Sequence, residues 1–171
     1  TVDAVVGLSG SFDGVALPLS TLPNTAAGSV AYAFNAKQFT YQPVDASPDG
    51  LAMAALSGKG DGSPLVRGSL MNAVTAVTAT ANGAAFELGA IPADKKMYGA
   101  LHVVTASGTT PTLDIEVESD DNSGMTSATS RMVFAQATAT TSEWLPLSGA
   151  ITDDWWRITV TVGGSTPSFR F

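Results

Sequence analysis

The acidic residues with the best spacing for chemistry cluster in the second half of the chain. Five of the fifteen Asp and Glu residues fall in the segment DIEVESDD, 114–121. Asp120 and Asn122, helped by backbone carbonyls, could supply the oxygen ligands that Ca²⁺ prefers. Gly124, however, falls one place early for a helix-loop-helix calcium loop, whose final bidentate Glu is also missing. Because Asx-rich turns bond their own backbone, we predict no bound metal and keep Asp120 and Asn122 as the only candidates.

Other catalytic patterns are weaker. The single histidine, His102, excludes a histidine metal cluster and is predicted to be structural or exposed. The segment GKGDGS, 58–63, lacks the Gly-Lys-Ser/Thr order and the following helix of a phosphate-binding loop. No Gly-x-Ser-x-Gly nucleophile motif is present. Asp114, Glu116 and Glu118 alternate with apolar residues, which predicts a solvated or lumen-facing stripe rather than a catalytic pair. We therefore expect a protein that is not an enzyme and binds no cofactor.

The two adjacent tryptophans in DDWWRITVTV, 153–162, fall on opposite faces of a predicted strand, one buried and one outer. Alternation places Trp156 with Ile158 and Val160 in the core, and Phe169 joins them from the last strand. Trp155 then shares a face with Arg157. Trp155 either lies under a neighbouring loop or forms an aromatic anchor at a subunit contact, because Trp is enriched at interface centres.

Two similar phrases, SGTTPTLDI at 107–115 and GGSTPSFRF at 163–171, suggest a repeated piece of β structure. Each follows an apolar run, at 101–106 and 155–162. Gly and Pro favour reversals, so we predict two hairpins of one antiparallel system. The predicted strands of this region are 98–106, 112–119, 131–137, 143–147, 155–162 and 167–171.

The first half is predicted to be strands joined by long turns. Turns are expected in VVGLSGSFDG (5–14) and SPDG (47–50). A hairpin is expected over 29–44, reversing at Asn35–Gln38, and another is expected where LAMAALSG and PLVRGSLM flank KGDGS. A short strand at 84–88 and one helical turn within 91–99 complete the prediction. The chain thus divides into a β-rich part at 1–72, an Ala/Thr-rich connection at 73–97 and an antiparallel β-sandwich at 98–171.

Composition narrows the class of function. Charged residues make up only 13% of the chain, which suits surfaces that pack against copies of the same protein. The net charge of −7 and the lack of a basic stripe argue against sequence-specific nucleic-acid binding. No apolar stretch reaches the ~18 residues of a membrane span. There is no cysteine and hence no disulfide framework. The overall expectation is an all-β sandwich or barrel with little or no helix.

Several phrases, taken in order, resemble the C-terminal domain of structural proteins of tailed bacteriophages. The resemblance covers about residues 98–171, through Leu101–Val103, Ser107–Leu113, Ser119–Asn122, Trp156–Arg157 and Gly164–Phe169. More faintly, VGLSGSFDG and PLVRGSLM resemble the later part of major tail, or tail-tube, proteins. The resemblance implies a virion structural role without catalysis, in which copies assemble with one another into hexameric rings and contact other virion proteins. The alternatives are a capsid decoration protein and an outward-facing carbohydrate-binding module.

Overall fold

The computed structural model describes residues 17–43 and 54–171. The turns predicted at 5–14 and at 47–50 lie outside these residues. The described part contains twelve strands and no helix, which confirms the all-β prediction. It consequently contains no helix that could cross a membrane. The strands are β1 (Leu17–Thr21), β2 (Val30–Pro43), β3 (Ala54–Gly60), β4 (Val66–Ser69), β5 (Ala76–Val77), β6 (Ala81–Asn82), β7 (Phe86–Glu87), β8 (Lys96–Val103), β9 (Thr105–Asp120), β10 (Thr129–Val133), β11 (Thr141–Ser148) and β12 (Trp155–Arg170).

The first sheet is built around β2, and here both predicted hairpins are wrong. β2 runs without reversal through Asn35–Gln38, with only a register shift between Ala36 and Gln38. β1 pairs with one edge of β2, while β3 and then β4 pair with the other. Since β3 and β4 follow the same edge in the same direction, the KGDGS segment is an insertion between them and not a hairpin tip. Asp61 holds this insertion, because its carboxylate accepts hydrogen bonds from the Asn35 side chain and the Ser63 amide.

The second sheet has six strands and is dominated by the pairing of β9 with β12, each 16 residues long. The two hairpins predicted at the repeated phrases are wrong, because both phrases lie inside these continuous strands and pair with each other. The register shifts around Ser165 mark bulges at this place. Gly and Thr with positive φ can therefore widen a strand pair without reversing the chain.

The segment 73–97 contributes strands to the second sheet. β5, β6 and β7 all pair with β12, so the predicted short strand at 84–88 exists as the two residues of β7. The predicted helical turn within 91–99 is wrong. There the Lys95 amide donates to the Pro92 carbonyl over 3.0 Å in a tight turn, and β8 begins at Lys96.

A two-stranded ribbon of β8 and β11 covers part of the six-stranded sheet. Inward side chains of both layers form the core, because residues alternate between the faces of each strand. The first sheet lies against the other face of this ribbon, where the side chains of Ser20 and His102 share a 2.9 Å hydrogen bond. The buried core comprises Ile91, Leu101, Val103, Leu113, Ile115, Val117, Met132, Phe134, Ala137, Ile151, Trp156, Ile158, Val160 and Phe169.

Candidate functional site

A cavity of about 790 Å³ opens beside the ribbon, between β8, the six-stranded sheet and the segment around β4. Its floor includes inward side chains of β9 and β12, among them Ile115, Val117 and Ile158. The sheet is four strands wide, because β5, β6 and β7 share one edge of β12, whereas the ribbon that packs on it has two strands. We call this cavity the β8 slot. Its volume falls in the range of about 300–1,000 Å³ that is typical of binding pockets.

Two strand edges border the β8 slot. Consecutive residues line it along β8 (Lys96–His102) and along β4 and its continuation (66–72). Successive side chains of a strand point to opposite faces, so a cavity that contacts both kinds lies against the strand edge. Among the described residues, β8 pairs only with β11, and β4 pairs only with β2. The slot is thus bordered by two edges that have no strand partner within the described chain.

Exposed apolar side chains mark the opening of the β8 slot. Leu22, Leu88 and Val104 all line it, and their exposed fractions are 36%, 38% and 49%. They are three of the six large apolar side chains exposed in the described chain. Exposed apolar side chains that border one cavity are typical of interaction sites.

The ribbon adds an aromatic wall to the β8 slot. Tyr98 and Trp144 stack with ring centroids 5.1 Å apart. His102 lines the same region, and burial lowers its pKa, so that the imidazole stays neutral near pH 7. Because its Nε2 already shares the hydrogen bond with Ser20, His102 acts here as a polar contact between the first sheet and the ribbon.

The charges around the β8 slot are opposite in sign to that of the whole chain. Arg67, Lys95 and Lys96 line it together with one carboxylate, Glu87. Three positive charges and one negative give +2, whereas the chain carries −7. Lys95 also makes a 3.3 Å ion pair with Asp94, which is exposed and therefore weak. The slot favours an acidic partner.

The two metal-ligand candidates lie together where β9 ends and the next loop begins, and they form hydrogen bonds with each other and with the backbone of that loop. Asp120 is 3% exposed, and its carboxylate accepts hydrogen bonds from the Ser127 amide (2.8 Å) and the Asn122 side chain (3.0 Å). The Ser127 amide bond is the main cause that lowers the pKa of Asp120. The Asn122 carbonyl oxygen of the side chain accepts from the Gly124 amide. These contacts form the self-bonded Asx turn that was the alternative to a calcium loop.

A polar cluster beside this loop escaped sequence reasoning. The Ser119 hydroxyl donates to Asp153 over 2.6 Å and accepts from Arg131 Nε over 2.7 Å. Arg131 also bonds Asp153 at 2.8 Å. The bonds from Ser119 and Arg131 hold the pKa of Asp153 below its usual value. Ser119 is fully buried, so the cluster ties β9, β10 and the chain before β12 together. Its members are distant in sequence, and no local pattern relates them.

The four residues assigned to the core, Trp156, Ile158, Val160 and Phe169, are all buried. Trp156 also donates from its indole nitrogen to the Gly89 carbonyl over 2.9 Å.

The two residues assigned to an interface, Trp155 and Arg157, lie on the face of the six-stranded sheet that points away from the ribbon, here called the outer face. Trp155 is half-buried between Glu87 and Asp120 of the neighbouring strands. Arg157 is occupied by a 2.9 Å ion pair with Glu118. The other two carboxylates of β9 on the outer face, Asp114 and Glu116, are bonded to neutral side chains. Asp114 accepts a hydrogen bond from Gln136, and Glu116 accepts one from Ser130.

In the described residues no group of three or more His, Cys, Asp or Glu side chains is arranged to hold a metal ion. No protein family matches the sequence, and the comparisons with curated proteins and with solved structures likewise give no match. The fold and the slot together define a structural class, namely an all-β protein with an apolar slot between strand edges.

Proposed function

We propose that this chain is a structural subunit of a tailed-phage virion, of the tail-tube or major-tail type, and that it works by assembling with copies of itself. The observation that carries the proposal is the β8 slot, where two strand edges and three exposed apolar side chains meet. Unpaired strand edges promote aggregation of a free chain unless a neighbour covers them. The resemblance of residues 98–171 to tailed-phage structural domains supports the virion role.

The acidic outer face suits a subunit of a tube that conducts DNA. Asp114 and Glu116 point away from the core in line with the ion-paired Glu118. If the part of this face around Asp114, which lies beyond the pairing with β10, borders a lumen, its negative potential repels DNA phosphates and lets the genome slide. A ring of copies related by rotation, such as a hexamer, places the same stripe around the whole lumen.

Catalysis forms no part of this proposal. Ser119 is buried and bonded to Asp153 and Arg131, and His102 is bonded to Ser20. These side chains act in the proposal as structural contacts between elements.

The second candidate is a carbohydrate-binding module or a capsid decoration protein, and the stacked Tyr98–Trp144 pair is the observation that favours sugar binding. A sugar platform commonly needs several aromatic rings on one surface. Trp144 lies on the ribbon face turned toward the first sheet, whereas Trp155 lies on the outer face of the six-stranded sheet. The two rings are on opposite sides of the sandwich and cannot form one platform.

The test of the proposed function has two arms. Sedimentation velocity of the purified chain across a concentration series should reveal association, and electron microscopy should then show rings or tubes. On the parent particle, a labelled antibody against the chain should mark the tail. Labelling of the capsid surface by a chain that stays monomeric would favour the decoration protein instead.

A further inference from the structure

We propose that the β8 slot receives the β10 edge of a second copy, so that neighbouring copies join head to tail. This inference rests on the proposed self-assembly and names its contact. An added strand gains affinity from backbone hydrogen bonds along an open edge, and side-chain pockets supply the specificity. The slot offers both, because the edges of β8 and β4 border it and its floor is apolar.

The shape of the sandwich explains why the slot needs an occupant. Core side chains such as Ile115 and Ile158 line the cavity although each is at most 5% exposed. They form part of the lining of a cavity of about 790 Å³ while remaining buried from solvent. Protein interiors are otherwise packed as densely as organic crystals, so a strand inserted beside β8 would complete the upper layer.

Charge and exposure identify the second copy's β10 edge as the occupant. β10 lies at the end of the six-stranded sheet, and Val133 on this strand is 61% exposed. Two carboxylates lie on this side of the sheet: Glu116 is the cross-strand partner of Val133, and Glu143 accepts a hydrogen bond from the amide of Ala135, two residues after Val133. An apolar side chain within an acidic rim complements an apolar slot whose lining carries +2.

Such a contact is heterologous, because the slot and the β10 edge are different surfaces of the same chain. Head-to-tail contacts close into rings when the rotation between copies allows it and form open filaments otherwise. In solution, closed rings would appear as one discrete oligomer, whereas open filaments would appear as a continuous range of sizes.

The first test places a side chain in the slot. Gly68 pairs with Ala31, and both line the slot, so a side chain at position 68 would point into it. A Cβ built on Gly68 meets no atom within 4 Å, so Gly68→Leu should fold normally. The matched control is Leu65→Trp, which adds bulk to an exposed side chain outside the slot. In sedimentation velocity, Gly68→Leu should weaken association at least tenfold, and Leu65→Trp should change it less than threefold.

The second test reverses charge. Lys96→Glu and Lys59→Glu make the same change at two exposed lysines, but only Lys96 lines the slot. Lys96→Glu should weaken association about tenfold and Lys59→Glu should not. Val133→Lys examines the other surface, because it places a positive charge against a slot whose lining is positive, and it should weaken association to a similar degree while the thermal transition stays that of the wild type.

Hydrogen exchange then separates the failures of the two proposals. On association, amides of β8 (Lys96–Val103) and β4 (Val66–Ser69) should gain protection. A wild-type chain that stays monomeric at every concentration would overturn self-assembly itself. Association that Gly68→Leu and Lys96→Glu leave unchanged, without new protection in β8, would overturn the slot contact and leave self-assembly standing. Association that responds to the slot variants but not to Val133→Lys would overturn β10 as the inserted edge.

Discussion

Gly108 of β9 and Gly164 of β12 occupy equivalent places in a locally symmetric strand pair. Their φ angles are 117° and 102°, and the threonines two positions later, Thr110 and Thr166, have φ angles of 48° and 47°. A Cβ on Gly108 would lie 2.8 Å from the Thr166 carbonyl, and one on Gly164 would lie 2.6 Å from the Thr110 carbonyl. Each copy of the repeated phrase therefore requires its glycine because the other copy's backbone occupies the space.

The first prediction concerns these glycines. Gly108→Ala and Gly164→Ala should each destabilise the fold by about 2–4 kcal/mol, since a left-handed conformation and a backbone clash both oppose a side chain. The two effects should not add, because the residues share one contact region. Urea denaturation of the two single variants and of the double variant measures the free energies of unfolding and their additivity.

Gly68→Ala is the control for the glycine variants, because its Cβ meets nothing within 4 Å and its φ is not positive. It should change the free energy of unfolding by less than about 1 kcal/mol. If Gly108→Ala unfolds at the same urea concentration as Gly68→Ala, the close approach of the Thr166 carbonyl to position 108 is refuted.

The second prediction separates the adjacent tryptophans. Trp156→Ala should cost about 3–5 kcal/mol, because it empties a fully buried site and leaves the Gly89 carbonyl without its indole donor. Thermal unfolding followed by circular dichroism measures the loss.

Trp155→Ala is the partner experiment, since Trp155 is half-buried on the outer face. It should leave the monomer folded, at a cost of about 1 kcal/mol in the free energy of unfolding. Equal melting temperatures for the two alanine variants would refute the assignment of faces in β12.

The third prediction concerns acid stability. The pKa of Asp153 is lowered by the hydrogen bonds from Ser119 and Arg131, so the folded state binds the Asp153 proton more weakly than the unfolded state. The resulting stabilisation is present above about pH 4, the usual range of an unfolded Asp. It is lost as the pH falls through the lower pKa of the folded state.

Asp153→Asn should therefore destabilise the chain near pH 6 and flatten its stability profile below pH 4, relative to the wild type. Urea midpoints between pH 3 and pH 7 test this. Asp120 contributes in the same direction, through its bond from the Ser127 amide, so part of the acid loss should remain in Asp153→Asn. A profile identical to that of the wild type would rule out a role of Asp153.

The fourth prediction concerns calcium. Both Asp120 oxygens accept hydrogen bonds from the Asn122 side chain and the Ser127 amide, so a cation would have to displace these donors. Millimolar Ca²⁺ should leave the melting temperature of the wild type unchanged. Asp120→Ala should lower it equally with and without Ca²⁺. A calcium-dependent rise that Asp120→Ala abolishes would establish a calcium site.

Alternation in the sequence predicted which residues of the regular parts of β9 and β12 are buried. Alternation is a local property of extended backbone, so Trp156, Ile158 and Val160 could be separated from Trp155 and Arg157 without knowing any neighbour. The class of fold followed from the same pattern, because no stretch showed helical periodicity.

Which strands pair was decided by tertiary structure. Gly, Thr and Pro at 107–111 and 163–167 are compatible with a reversal or a bulge, and the choice depends on the partner strand. Here the two phrases are partners of each other, which no local pattern reveals. The predicted turn at Asn35–Gln38 failed for the same reason, since pairing with three other strands keeps β2 extended.

The β8 slot and the Ser119–Arg131–Asp153 cluster also depended on tertiary structure alone. The slot lies beside a two-stranded layer that packs on a sheet four strands wide, and the number of strands in each layer is a property of the whole chain. The cluster joins residues 12, 22 and 34 positions apart, whose proximity follows only from the pairing of β9 with β10 and β12. Local residue patterns encode conformation and burial, whereas sites built between distant segments are encoded only in the packing that brings those segments together.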